Sequence, residues 1–276
     1  MHLSKAEHDY LMEPTNGDPL LEMVQAIAST GSLKTAIETK HNDPVACRNI
    51  LQKCYETQEK LMRLQKDGHL GKEPSLWQCK NFEVPSPEGT FGAPYEFTSL
   101  RNALLYNLFW ANMVILLPVL HHARSLVRLH SNLSSVEDTG TKFEDMEYVL
   151  RGAYADKIPR TLPYCFQKGM KASFSKIIFF PINMASIHFI DIKNRDKLNY
   201  CHDILRHIET IGLQMASSIR EVTSYRWERR WGEAADQFDC ISLRQTDRIG
   251  CNMHPGSLSK DLSKALSEEP QYQSDV

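Results

Sequence analysis

The chain has 276 residues, of which 42% are hydrophobic and 24% charged, as is ordinary for a globular protein of one large or two small domains. Its 32 lysines and arginines are balanced by 34 acidic residues, which gives a formal net charge of -2. A dedicated nucleic-acid-binding domain is usually strongly basic, and this chain is not, so any DNA contact is expected to come from a local patch or from a partner. The first residues lack the charged and apolar segments of a secretory signal, and the seven cysteines are therefore expected to be reduced thiols.

The two ends of the chain differ in composition from its middle. Residues 1–18 are polar and predict a flexible tail, and residues 236–276 lose apolar periodicity and predict a disordered tail. Between them, residues 19–235 are expected to form one helical domain. Glycines and prolines crowd into residues 67–96, which predicts a long loop inside that domain.

Two helices are predicted before this loop from their start signals. Asp18 is expected to cap a helix that begins at Pro19, and Asp43 to cap a second helix over residues 44–66. Apolar residues recur at helical spacing along the second segment while its other face is polar. We therefore expect an amphipathic helix that packs on the rest of the domain.

The longest predicted helix covers about residues 99–130. Its first half is apolar on most sides, which indicates burial in the centre of a bundle. Pro118 is expected to kink it, because the proline ring removes a backbone donor and clashes with the preceding turn. Residues 103–120 are also long enough to span a bilayer, so a membrane-attached protein is an alternative. Asn107, Asn112 and the central position of Trp110 favour the buried helix instead.

The rest of the domain also predicts helices. Pro159 and Pro163 are expected to force turns, and Pro181 to begin a helix. The predicted segments are 143–156, about 158–171, 181–190 and 196–225. No segment shows the alternation typical of strands, so the predicted fold class is all-α, an irregular multi-helix bundle.

Several short motifs follow one another in a fixed order. Tyr95-Glu96-Phe97 precedes the long apolar helix, which carries Trp110-Ala111. Residues 155–164 read ADKIPRTLPY and residues 180–185 read FPINMA. Gly169 lies between these two motifs, and the last predicted helix carries Ile211-Gly212 and Ala216 and ends near Trp227.

In this order the motifs resemble the regulatory domain of fungal zinc binuclear cluster transcription factors, over about half of the chain, residues 95–231. The third motif is similar to the family's A-x-x-I-x-x-S-x-P-Y, with Thr161 in place of serine. The fourth is similar to F-P-L-x-x-A, with Ile182 in place of leucine. The resemblance implies a nuclear, helical regulator, and in this family such regulators often govern secondary-metabolite gene clusters.

The cysteines depart from that family's pattern. The zinc module needs pairs of cysteines two residues apart, so that six thiolates share two metal ions. No two cysteines here have that spacing; they are Cys47, Cys54, Cys79, Cys165, Cys201, Cys240 and Cys251. We therefore predict no metal and no cofactor. The expected mode of action is contact with a protein partner or a second copy of the chain, with direct DNA binding doubtful.

Two candidate sites follow from side-chain composition. A pocket between the long helices, lined near Trp110, Phe180 and Met215, could bind a small apolar effector. Arg226, Arg229 and Arg230 lie among tryptophans and could contact a nucleic acid or a protein partner. Packing of the tryptophans at a helix end is the simpler interpretation of this second cluster.

An enzyme is the alternative function, either a catalyst or an accessory protein of a biosynthetic pathway. Its acid–base residues would come from His188, Asp191 and His202, but no phosphate loop or nucleophile motif accompanies them. His121 and His122 do not predict a metal site, since adjacent helical side chains point about 100° apart. No catalytic residue is therefore assigned from the sequence.

Overall fold

A computed structural model of the protein describes residues 17–77, 84–131, 139–167 and 171–232. In the third of these ranges the side chains are described from residue 146 onward, and in the fourth from residue 178 onward. Two compact units are distinguished, Met1–Glu228 and Arg229–Val276. The second unit contributes only residues 229–232 to the described part. Nearly all of the predicted N-terminal tail, the whole predicted C-terminal tail and Gly169 lie outside the described residues.

The all-α prediction is confirmed: the described ranges contain eight helices and two very short strands. The strands form an antiparallel pair inside the predicted loop 67–96, which therefore has some regular structure. The helices are α1 (Pro19–Lys40), α2 (Pro44–Lys66), α3 (Glu88–Phe91), α4 (Leu100–His130), α5 (Thr139–Cys165), α6 (Lys171–Asp191), α7 (Arg195–Thr210) and α8 (Met215–Trp231). The strands are β1 (Ser75–Leu76) and β2 (Tyr95–Glu96).

The predicted starts of α1, α2 and α4 are confirmed by their capping bonds. The carboxylates of Asp18 and Asp43 accept backbone N–H bonds from the first turns of α1 and α2 at 2.8 to 3.1 Å. The Ser99 hydroxyl does the same for α4, at 3.1 Å from the backbone nitrogen of Asn102. Each cap satisfies a donor that has no partner inside its helix, so these side chains fix where the helices begin.

Helix α4 is the centre of the bundle. Helices α1, α2, α5 and α6 all pack against it, and its residues are buried on nearly every face from Asn102 to Ala123. In the described part of the chain, α4 alone is long and apolar enough to span a bilayer, with a mean hydropathy of 1.8. Other helices bury 89% of its apolar window. Its composition is therefore accounted for by a position in the core of the bundle.

The polar side chains of α4 connect it to neighbouring helices. Asn107 donates through Nδ2 to the Ala103 carbonyl at 2.8 Å, and its Oδ1 lies 3.1 Å from the Thr161 hydroxyl of α5. Asn112 donates through Nδ2 to the Met23 carbonyl of α1 at 3.3 Å. Because a buried amide without a partner is costly, these contacts favour one register between α4 and its neighbours.

The predicted effects of three prolines are wrong. Pro159 and Pro163 lie inside the continuous helix α5, and Pro181 lies inside α6 rather than at its start. All three prolines are buried between helices. A proline removes only its own hydrogen bond to the carbonyl four residues earlier, so the remaining bonds and the burial of these three rings keep the helices continuous.

The predicted helix over residues 196–225 is also wrong, because the chain turns between α7 and α8. Gly212 has a backbone φ of 93°, and its N–H bonds to the Glu209 carbonyl at 2.9 Å. A Cβ at Gly212 would meet nothing within 4 Å, so this glycine is needed for its left-handed backbone and not for a close helix approach.

Two glycine substitutions test this assignment. Gly31 lies in the exposed middle of α1, where an added Cβ also meets nothing. We expect Gly31→Ala to raise the free energy of unfolding by about 1 kcal/mol, because alanine favours helix. Gly212→Ala should lower it by about 1 kcal/mol, because alanine disfavours positive φ. Urea unfolding followed by circular dichroism measures both, and equal effects would contradict the assignment of the turn.

Candidate functional site

The first three motifs of the family resemblance meet in one aromatic cluster. Tyr95 and Phe97 come from β2 and the residue after it, Trp110 from α4 and Tyr164 from α5. The ring centroids of Tyr95 and Trp110 are 5.7 Å apart, and those of Phe97 and Tyr164 are 5.3 Å apart. Such tilted and edge-on pairs add stability beyond the burial of their surface.

Two cations of α5 border the aromatic cluster. The Arg160 guanidinium lies 3.9 Å from the centre of the Tyr95 ring, and Arg160 donates to the Ala93 carbonyl at 2.6 Å. The ammonium group of Lys157 lies 5.8 Å from the Trp110 ring. Burial lowers the pKa of Lys157 and raises the pKa of Tyr95. The motif residues therefore pack against one another and join the segment before α4 to α5.

The effector pocket predicted from Trp110, Phe180 and Met215 is not supported by their positions. Trp110 is 2% exposed and packs inside the aromatic cluster, whereas Met215 is 60% exposed at the start of α8. Phe180 is half-buried on α6. A side chain that is mostly in water cannot share an enclosed wall with a core tryptophan, so these three residues do not line one enclosed pocket.

A groove of about 520 Å³ is lined by residues of α1, α4, α5, α6 and α8, and it contains none of those three residues. Its apolar wall includes Ile37, Val114, Pro118, Val119, Met184 and Ile187. Charged and polar side chains also line it, among them Lys34, Glu38, His122, Arg151, Asp191 and Arg226. The groove therefore combines apolar surface with several charges of both signs.

Arg151 connects three helices beside the groove. Pro118 has no N–H, so the Val114 carbonyl lacks the donor that a regular helix would supply. The Nε of Arg151 donates to that carbonyl at 3.1 Å, and its Nη2 lies 2.8 Å from Asp191 Oδ2. A single guanidinium thus bonds to the α4 carbonyl that Pro118 leaves without a helical donor, and it also forms an ion pair with Asp191 of α6.

The residues of the enzyme alternative have different surroundings. His188 is 1% exposed, and its Nδ1 has no hydrogen-bond partner in the described structure. Burial, followed by the charge of Arg151, lowers the pKa of His188 to about 4. His202 instead lies 2.8 Å through Nε2 from the Thr223 hydroxyl of α8. Burial and then the neighbouring arginines lower its pKa to about 4, so both rings are neutral at pH 7.

The three arginines of the predicted contact cluster have separate positions. Arg226 lines the groove. Arg229 and Arg230 belong to the second unit, where the Arg230 guanidinium lies 5.5 Å from the Trp231 ring. Trp227 contacts the Arg195 guanidinium at 4.8 Å from its ring centre. Packing of tryptophan against arginine therefore accounts for part of this cluster.

The cysteines that are described behave as core residues. Cys47, Cys54, Cys165 and Cys201 are buried free thiols. Burial raises the pKa of Cys54 to about 11 and that of Cys201 to about 12, which keeps both thiols protonated. No group of three or more potential metal ligands occurs among the described residues. Cys79, Cys240 and Cys251 lie outside them.

Comparison with known proteins gives no assignment for this arrangement. No protein-family model matches the chain, and no curated protein or solved structure matches it. The proposals below therefore rest on the residues of this chain and their contacts.

Sequence reasoning missed the groove and the role of Arg151. Pro118 was a usable signal, because a proline inside a helix leaves the carbonyl of Val114 in need of another donor. The sequence does not show which of its many arginines supplies that donor. Arg151 follows Pro118 by 33 positions and reaches it only through the packing of α5 on α4.

A double-mutant cycle tests the role of Arg151. Arg151→Met should lower the free energy of unfolding by about 2 to 4 kcal/mol, because a buried carbonyl and Asp191 lose a charged partner. In a Pro118→Ala background the cost should fall by about 1 kcal/mol, because the new N–H can bond to Val114. Urea unfolding gives both values. Arg160→Met, which removes another arginine of α5, should show no such coupling to Pro118→Ala.

The lowered histidine pKa values predict acid sensitivity. The unfolded protein binds protons near pH 6.5, whereas the folded protein binds them at these two rings only near pH 4. Above pH 6.5 neither histidine should lower the free energy of unfolding. As the pH falls from 6.5 to about 4, each should lower it by about 1.4 kcal/mol for every unit by which folding lowers its pKa.

His202→Gln keeps an N–H donor for Thr223 but does not titrate. Urea unfolding across this pH range should therefore give a shallower pH dependence for His202→Gln than for the native protein. An unchanged slope would contradict the contribution of His202.

Proposed function

We propose that the chain is the regulatory domain of a transcriptional regulator or co-regulator of the fungal zinc binuclear cluster type. It acts through protein contacts instead of a zinc cluster of its own. One observation carries this proposal: the first three of the motifs that resemble that family are separate in the sequence yet contact one another in the aromatic cluster. Tyr95 and Phe97 pack on Trp110, and Arg160 packs on Tyr95.

These contacts support the resemblance because motifs that form one packing unit depend on one another. The Arg160 side chain of the third motif bonds to the Tyr95 hydroxyl of the first at 2.7 Å. Tyr164 of the third motif packs on Phe97 of the first.

Exposed apolar side chains support action through a protein partner or a second copy of the chain. On α8, Met215 is 60% exposed, Val222 49% and Tyr225 66%. The last two are three residues apart and share one side of the helix. A cluster of exposed large apolar side chains is typical of an interaction surface. Since the net charge is -2, contact with DNA in this proposal depends on the partner.

The proposed setting is the nucleus, with control of a secondary-metabolite gene cluster as the process. The test is a strain that lacks the gene, profiled for transcripts and metabolites. We expect loss of a co-regulated block of mRNAs, restored by the native gene. An unchanged set of mRNAs with accumulation of one pathway intermediate would overturn the proposal and indicate an enzyme or accessory protein.

Complementation with surface variants makes this test specific to partner contact. Val222→Ser with Tyr225→Ser removes apolar surface from α8 without touching the core, so the protein should fold but fail to restore the mRNAs. Val45→Ser is the matched control, because Val45 is 64% exposed on α2. It should restore them fully. Immunoblotting checks that the variants reach equal abundance, and equal rescue by both would contradict the proposed role of α8.

A further inference from the structure

The groove beside Pro118 has properties of a ligand site that the proposed function does not use. We infer that it binds a small amphipathic organic anion, with an apolar chain against the wall and a carboxylate near Lys34 and Arg226. The inference concerns binding by the purified protein and does not depend on a role in transcription. If that role holds, the groove is the candidate effector site.

The size of the groove suits a ligand of this class. Its volume of about 520 Å³ lies within the range of about 300 to 1,000 Å³ that small-molecule sites occupy. Side chains from α1, α4 and α6 form its apolar part, including Ile37, Val119 and Ile187. Val119 and Ile37 are buried, while Ile187 is half-buried. An alkyl chain in the groove would cover its half-buried apolar side chains, Pro118, Met184 and Ile187.

The charges of the groove favour an anion. Arg151 and Asp191 form an ion pair at 2.8 Å and neutralise each other. Lys34 and Arg226 are both exposed and have no ion-pair partner among the described residues, and Glu38 is the remaining acid. The lining therefore carries a net charge of one positive unit. His122 adds no negative charge in either protonation state.

A carboxylate that contacts both Lys34 and Arg226 would join α1 to α8. Of its described residues, α8 buries only Ala216 and Thr223, so its attachment to the bundle is light. Its contacts with α7 include the hydrogen bond between Thr223 and His202. They also include an ion pair at 2.8 Å between Arg220 and Glu209, near the end of α7. A ligand that also contacts Arg226 should therefore stabilise α8 more than the rest of the bundle.

The test is titration calorimetry of the purified full chain with decanoate as the probe. Decanol has a similar alkyl chain without charge, and decyltrimethylammonium has the opposite charge. We expect decanoate to bind at least about tenfold more tightly than either, because its carboxylate makes a charge-assisted contact that the other two probes lack. Rising salt should weaken decanoate binding, since the two cations are exposed. Equal affinity for the three probes, or no binding of decanoate, would overturn the inference.

Variants locate the site. Lys34→Gln and Arg226→Gln should each weaken decanoate binding by about fivefold, and the double variant by about twenty-fivefold if the two contacts are independent. Arg48→Gln is the matched control, because Arg48 is exposed on α2 and does not line the groove. Ile187→Trp should block the apolar wall and weaken binding of every alkyl probe. Equal losses in Arg226→Gln and Arg48→Gln would place binding elsewhere and overturn the inference.

Hydrogen exchange gives an independent readout of the same site. Saturating decanoate should slow amide exchange in α8 of the native chain and leave α2 unchanged. Arg226→Gln should abolish this protection even at decanoate concentrations that restore saturation. Uniform protection of all helices would contradict the bridging position of the carboxylate. Because these measurements use the purified protein, their failure is distinct from failure of the transcript experiment.

Discussion

The fold depends on the nearly complete burial of α4. Removing its apolar surface from water supplies about 25 cal/mol per Å², which drives four helices to pack around it. The same burial makes every polar group of α4 costly unless it has a partner. The amides of Asn107 and Asn112 therefore contact α5 and α1, and only some arrangements of those helices allow both contacts. The polar groups thus select among packings that hydrophobicity alone would permit.

Pro118 adds a second constraint at the same place. It leaves the Val114 carbonyl without its helical donor, and Arg151 supplies one while pairing with Asp191. The guanidinium that completes α4 is thus part of the groove wall, with its charge already neutralised. Arg151 is consequently already bonded to Val114 and Asp191 when a ligand enters the groove. Lys34 and Arg226, which the fold does not use in ion pairs between described residues, are the cations left for recognition.

Local signals in the sequence predicted the starts of α1, α2 and the central helix α4 correctly, because capping and apolar patterns act within a few residues. Asp43 illustrates this, since its carboxylate bonds to backbone groups two and three positions away. Pro181 and Gly212 show where local reasoning ends. The first is buried inside the continuous helix α6, and the second ends α7 through a backbone angle that composition does not reveal.

The missed turn at Gly212 also explains why the predicted pocket differs from the groove. On one continuous helix, Met215 would share a face with the buried residues of α7. The turn instead gives α8 its own direction, which leaves Met215 exposed and places Arg226 in the groove wall. Trp110 was correctly expected to be buried, but its neighbours are the rings of the motif cluster, which fill the space that an effector would need. Since α8 is the most lightly attached helix along the groove, a ligand that reaches Arg226 acts where the bundle has the least stabilisation of its own.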